Sequence, residues 1–322
     1  MSYRTILSFV MASLSFFMAS SSALAQSYPN RTVTLVAPFA PGGALDLVAR
    51  TMAQKLQEQW GQSVVVENRA GAAGILGTQY VAKSSPNGYT ILLGATTTHG
   101  INPSLYKKLQ YDAVADFEPV SLVATIPHLL VVNPSLPINN LTDLAKLSKT
   151  KPMAFGSAGI GSPHHLAGEM LKTKLKLDFV HVPYQGSGPA LVQLMAGDID
   201  FMSVEVTAAM PHIKSGRIKP IAVASSKRIP SIGLPTFAEQ GVSDFEVTAW
   251  YAIFAPKNTP KDIVAKISDA LAKAVATEDV KTKFSALGAT PIGSTPEVLR
   301  EYVGTEISRW AGAVKSSGAT AD

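Results

Sequence analysis

The chain contains no cysteine. Disulfides, thiolate nucleophiles and cysteine-ligated metals are excluded with it, and so is a lipid-anchoring cysteine behind the N-terminal apolar run. Other signatures are missing too. The P-loop needs a lysine and a hydroxyl directly after its last glycine, but Gly43 is followed by Ala44 and Leu45. The dinucleotide pattern G-x-G-x-x-G does not occur, nor does H-E-x-x-H or the G-x-S-x-G nucleophile elbow. The net charge is only +5, spread as single residues without a basic cluster and interleaved aromatics, so no nucleic-acid partner is expected. Beyond residue 25 no apolar run reaches spanning length, which points to a soluble mature protein.

The first 25 residues stand apart. Arg4 precedes an uncharged run from Thr5 to Ala19, and Ala23-Leu24-Ala25 has the small-x-small form of a signal-peptidase site, so cleavage is expected before Gln26. Removal takes Arg4 and no acid, which lowers the net charge from +5 by one. At 322 residues the chain can bury a core large enough to do without disulfides in an oxidising compartment, and its length suggests two domains.

The stretch around which the rest is arranged is Val33 to Arg50. A β-branched run leads into Pro38-Phe39-Ala40-Pro41-Gly42-Gly43, and apolar residues then recur at Leu45, Val48, Ala49, Met52 and Leu56. That is strand, glycine turn, helix. The prolines remove donors, the glycines permit close approach, and the helix start aims unpaired N–H groups and a positive dipole end at whatever sits there. With nucleotide motifs absent, a small carboxylate is the expected occupant; a plain strand-to-helix turn is the alternative.

The device recurs. Val64 to Val66 reads as a second strand, with a small-residue turn from Glu67 to Gly74, and Tyr89 to Gly94 reads as a third strand ending at the polar Thr96-Thr97-Thr98-His99. Met153 to Pro163 repeats the opening pattern, with Ser162 as N-cap and Pro163 at the first helical position. Phe179 to Pro189 repeats it again through Tyr184 and Gly186, and Gly197 ends the helix behind it. Two strands are expected between Asp116 and Val132, with a crossing between domains near Thr125 to Pro127 and the return near Trp250. Two terminal helices are expected to open at Thr259-Pro260 and Thr295-Pro296. Strand alternating with helix argues for an α/β fold with mostly parallel, doubly wound sheets.

Converging donors define the candidate site. Backbone amides with a hydroxyl from Ser157 or Ser162 can satisfy a carboxylate without arginine. Phe39 and Tyr184 either wall the pocket or pack the core. Asp46 is either a helix-start carboxylate stabilised by the dipole or a cleft-facing group that selects an amine or hydroxyl, and Glu205, at the expected end of a strand, is either a surface residue or a similar cleft-facing group. Six histidines are present, but His164 and His165 point about 100 degrees apart and share no metal-ligand spacing, so no metal is expected. His99 and His164 are candidate hydrogen-bond donors in the crevice.

Taken together, YPNRTVTLVAPFAPGGALDLVAR, VENRAGAAGILGTQYVAKSSPNGYTILL, THGINPSLYKKLQYDAVADFEPVSLV, FGSAGIGSPHHLAGEML, HVPYQGSGPALVQLMAGDIDFM and APKNTP cover nearly all of the mature chain. In that order they resemble the Bug or TctC-like receptors of the tripartite tricarboxylate transporter system. The resemblance implies a Venus-flytrap periplasmic binding protein of two α/β domains, each a mostly parallel sheet flanked by helices, closing on a small carboxylated solute. It places domain 1 at 26–126 plus 250–322 and domain 2 at 127–249. It puts the ligand loops on Phe39 to Asp46 (Phe39, Ala40, Pro41, Gly42, Gly43, Asp46) and on Gly156 to His164, with His181 to Gly186 close by. The full candidate set adds Thr98, His99, Ser157, Gly161, Ser162, Tyr184, Gly186 and Glu205. Ala44-Leu45 departs from the family's small or hydroxylated residues before the aspartate. The implied protein is a monomeric, cofactor-free periplasmic receptor handing a dicarboxylate, tricarboxylate, amino acid or aromatic acid to membrane permease subunits. A secreted hydrolase or transferase using Ser157 and a histidine, or a receptor serving a sensor kinase, are the rivals.

Overall fold

Val33–Ala37, the β-branched run, is strand β1 of a computed structural model that describes residues 28–184, 186–229, 232–286 and 288–321. The expected leader, residues 1–25, lies outside the described residues. Helix α1 (Ala44–Trp60) buries Val48, Ala49, Met52 and Leu56 completely, the stripe expected from their spacing. Each large apolar side chain so placed contributes about 1.5–3 kcal/mol. Gly61 ends the helix in the left-handed region at φ 65°, its N–H returning to Gln57 O at 3.0 Å.

Strand β2 (Val64–Asn68), helix α2 (Ile75–Ala82) and strand β3 (Thr90–Ala95) complete the first unit, with β2 and β3 both parallel to β1. After β3 the chain makes a wide helical turn, Thr97–Ile101, and a short helix α3 (Asn102–Leu105). The second unit contains β5 (Met153–Ser157), α5 (Pro163–Leu175), β6 (Phe179–Pro183), α6 (Ser187–Ala196), β7 (Phe201–Glu205) and α7 (Val206–Lys214), with β6 and β7 parallel to β5. It is preceded by α4 (Leu141–Ser148) and followed by β8 (Lys219–Val223).

Two strands join the units. Strand β4 (Phe117–Val132) is one element where two were expected. Residues 117–127 pair antiparallel with β9 (Thr248–Pro256), and residues 128–132 pair antiparallel with β7. The partner changes just after Pro127, which lacks a donor, and Pro119 sits beside a register shift, so both prolines fall where the ladder is interrupted. The described strands form a ten-stranded sheet in the order β2-β1-β3-β9-β4-β7-β5-β6, with β8 and the short β10 (Thr290–Pro291) on β4. The α/β, two-lobed periplasmic-binding-protein architecture expected from the sequence is present.

The tail carries helices α8 (Lys261–Ala276), α9 (Glu278–Ala286) and α10 (Pro296–Ser317). Helices α4 and α9 had not been anticipated, although Asn140 caps α4 by accepting from Asp143 N–H at 2.8 Å. The expected Thr259 cap is absent: its hydroxyl donates to Pro256 O at 2.7 Å and α8 begins after Pro260 without a side-chain cap. Thr295 does cap α10. That helix lies over the crossing, where buried Glu306 accepts the indole N–H of Trp250 at 2.9 Å and of Trp310 at 3.0 Å on one oxygen. A carboxylate shared by two indoles fixes the C-terminal helix to the β9 crossing strand.

Candidate functional site

The loops that follow the carboxyl ends of β1, β3, β5, β6 and β7 surround one cleft of about 600 Å³, the position where open α/β sheets hold ligands. Ala249 and Tyr251 of β9 also line it. Among its lining residues there is no lysine or arginine. A second depression of about 690 Å³, by Arg31, Tyr80 and Lys83, contains none of the glycine turns.

One wall is the start of α1. Phe39, Ala40, Gly42 and Gly43 line the cleft, with Ala44 and Leu45 beyond them. Gly42 has φ 90°, which its residue type permits, while Gly43 is extended. The first intrahelical bond runs from Leu47 N–H to Gly43 O at 3.1 Å, so the amides of Ala44 and Leu45 precede the ladder. A Cβ at Gly43 would meet nothing within 4 Å, so the backbone there faces open space.

Asp46 is a correction. It does not line the cleft and is only 3% exposed. One carboxyl oxygen accepts from Gly42 N–H at 3.0 Å and Arg50 Nε at 2.9 Å, and the other from Asn68 Nδ2 at 2.9 Å. Burial alone would raise its pKa, but bonds from Arg50, Gly42 and Asn68 outweigh it and hold the carboxyl below its usual value. Asp46 therefore braces the turn from beneath and consumes the Gly42 donor.

The facing wall is the start of α5, where Ala158, Ile160, Gly161, Ser162, Pro163 and His164 line the cleft. Ser162 is the expected N-cap, accepting from His165 N–H at 3.3 Å, but its hydroxyl also donates to Gly159 O at 2.7 Å. Gly161 N–H is taken by His165 Nδ1 at 3.1 Å. Both donors are thus engaged in building the turn. Ser157 lies behind the lining, fully buried, its Oγ 2.6 Å from His181 Nε2 and also bonded to Gly159. His181 stacks on His165 at 3.9 Å, and burial with that neighbour pushes its pKa down to about 4. A buried serine held on a neutral histidine is a structural pair without access to substrate.

Thr98 and His99 are displaced as well. The wide turn after β3 rotates both inward, where they are fully buried. Thr98 Oγ1 bonds Ala95 and His99, while the His99 ring stacks on Phe254 at 4.0 Å. Burial lowers the His99 pKa to about 3. Thr96, Thr97 and Asn102 face the cleft instead. Pro41 and Tyr184 also fall outside the lining, Tyr184 packing beside Gly156, whereas Gly186 and Ser187 belong to it.

Glu205 does line the cleft, at the end of β7 and ahead of α7. Its Oε2 accepts from His164 Nε2 at 3.0 Å, and its Oε1 lies 3.7 Å from His128 Nε2. Burial works to raise the Glu205 pKa, but His164 and His128 outweigh it and the carboxyl is held down. His164, the nearer of the two, is the one that hydrogen-bonds the carboxylate. Asn102 and Tyr251 were not anticipated in the lining; only the polar character of the THGIN segment and an aromatic in the crossing strand pointed that way.

The model of the tripartite tricarboxylate transporter family receptor matches residues 48–318. The chain is 39% identical over 308 residues to the UPF0065 protein in the tcbD-tcbE intergenic region of Pseudomonas sp. (strain P51), covering 94% of this chain and 91% of that one. It is similar to the structure of R. palustris Rpa4515 with adipate, at TM-score 0.83 and 36% identity over 91% of this chain and 99% of that one. It is also similar to MatC (Rpa3494) from Rhodopseudomonas palustris with bound malate, at TM-score 0.78 and 38% identity over 89% and 100% of the two chains.

Proposed function

Because the chain belongs to the family of tripartite tricarboxylate transporter receptors, whose members are periplasmic solute-binding receptors and not enzymes, we propose that it captures a small carboxylate between its lobes and hands it to the membrane subunits of such a transporter. The observation that carries this reading is the cleft itself, lined by the starts of two facing helices and free of lysine and arginine. The amides of Ala44 and Leu45 at α1, and of His164 at α5, hold the carboxyl group, with Gly43 allowing its approach. The carboxylates in the Rpa4515 and MatC structures support the solute class.

Residues 1–25 act as the export signal, and a single chain works in the periplasm with no cofactor. The lobes divide at Pro127 and near Trp250, so that β4 and β9 are the segments about which they close. Closure follows from a ligand that contacts both helix starts only in the shut form, and so shifts the population towards it. The test is calorimetry and thermal unfolding of the mature chain against a panel of carboxylates. A ligand at a hundred times its Kd adds about 2.7 kcal/mol, a rise in Tm of about 5 °C, with no product formed. A panel that produces neither heat nor shift refutes the reading.

A further inference from the structure

The cleft lining carries groups of opposite chemistry. At the α1 start it offers backbone N–H donors and a positive dipole end. At Glu205 it offers a carboxylate. The His164 Nε2 hydrogen is committed to the Glu205 carboxylate, and its Nδ1 is buried with no partner. Asn102, fully buried and also part of the lining, directs its amide nitrogen to Ala73 O at 3.1 Å, which leaves its carbonyl oxygen without a partner. No lysine or arginine from the lining pairs with Glu205.

A second carboxylate is acceptor-only and would meet Glu205 as a like charge. An ammonium group brings three donors and the complementary charge. We infer that Glu205, with His164 beside it, selects a solute carrying an ammonium group as well as the carboxylate, an amino acid in preference to a plain diacid. The amine-selecting role that the sequence left open between Asp46 and Glu205 falls to Glu205 because Asp46 is fully engaged under the turn. The inference rests on the carboxylate-receptor reading and goes one step further.

The experiment is calorimetry of the mature protein with matched pairs: 4-aminobutanoate against glutarate, 5-aminopentanoate against adipate, and aspartate against succinate. The wild type is expected to bind at least one amino member ten-fold or more tighter than its diacid partner. Glu205→Gln, which keeps the shape and removes the charge, should abolish that ratio by weakening the amino acid and strengthening the diacid. Glu205→Asp keeps the charge and should retain the order of preference at lower affinity. Unfolding curves of each variant without ligand establish that it is folded. Tight binding of diacids alone, or a Glu205→Gln protein with an unchanged ratio, overturns the inference and leaves the receptor reading standing. A wild type that binds neither series overturns both.

Discussion

Asp46 and Glu205 are both carboxylates at a helix start beside the cleft, and their surroundings put them to opposite use. Asp46 is enclosed by three donors, Gly42 N–H, Arg50 and Asn68, with none of its capacity directed at the cleft. Glu205 lines the cleft, with one hydrogen bond from His164 and a more distant His128. The first positions backbone amides for a ligand it does not touch. The second is left with acceptor capacity facing the space where a ligand sits. Position relative to the helix start is the same in kind; the number of committed partners separates scaffold from recognition.

Acid should separate the two regions most strongly. His128, beside Glu205, has its folded pKa lowered to about 4 by burial, and His99 to about 3. The unfolded chain binds protons at both from about pH 6.5 downward, so their contribution is complete above that pH and is lost as pH falls towards the folded values. Each adds a slope of about 1.4 kcal/mol per pH unit within its window. The depressed carboxyl of Asp46 acts in the same direction at lower pH, with stability present above its ordinary value and lost below. Urea titrations of the mature protein from pH 7 to pH 4 should therefore show falling stability before Asp46 takes part. His128→Gln should flatten that limb, and an unchanged limb would mean that His128 is already charged near Glu205 at neutral pH.

Asp46→Ala comes next. It strands Gly42 N–H and Asn68 and leaves Arg50 unpaired, an expected loss of about 3 kcal/mol in urea unfolding at pH 7. Glu205→Gln should cost less than Asp46→Ala, since the amide still accepts from His164 and strands no backbone donor. Equal losses from both would remove the distinction between brace and selector.

How much of this was legible in the sequence depended on distance along the chain. The β1-turn-α1 unit, the Ser162 cap and the Gly197 stop are local events whose signals lie within a few residues of their effect. Asp46 as a brace was half legible: its place in the first turn was clear, but Asn68 reaches it from 22 residues away. Thr98 and His99 were misplaced because a polar stretch after a strand does not announce the wide turn that rotates it into the core. Tyr251 and Asn102 enter the cleft through strand pairing and helix packing that no local pattern encodes. Ser162 was identified as a cap and also as a ligand donor, and the cap uses its hydroxyl in both directions.

The two glycine turns sharpen the same contrast. At Gly43 an added Cβ meets nothing within 4 Å and the backbone is extended, so Gly43→Leu should leave the Tm within about 1 °C, as expected for a substitution at an open position. The leucine would occupy the approach to the α1 amides and weaken a carboxylate by about 100-fold, or about 2.7 kcal/mol, in calorimetry. At Gly161 φ is 74° and a Cβ would run into Leu105 Cδ2, so Gly161→Ala should cost about 1–2 kcal/mol of stability from strain and displacement of that leucine. A Gly43→Leu protein with unchanged affinity would move the carboxylate site away from α1.

The smallest effect concerns the exposed partner of the brace. The Arg50 side chain is 53% exposed while that of Asp46 is 4% exposed, at 2.9 Å between them. Water screens the guanidinium end, and a pair of this kind is worth about 0.5 kcal/mol. Gly42 N–H and Asn68 Nδ2 supply two further hydrogen bonds to the carboxylate that remain when the guanidinium is removed. Arg50→Gln should therefore lower stability by about 0.5 kcal/mol at low ionic strength, and by less in 0.5 M salt, with carboxylate affinity unchanged. A loss as large as that of Asp46→Ala would mean that the arginine, and not the backbone amide, is what holds Asp46 under the turn. The first wall of the cleft would then be set by a surface ion pair, and its geometry would follow salt.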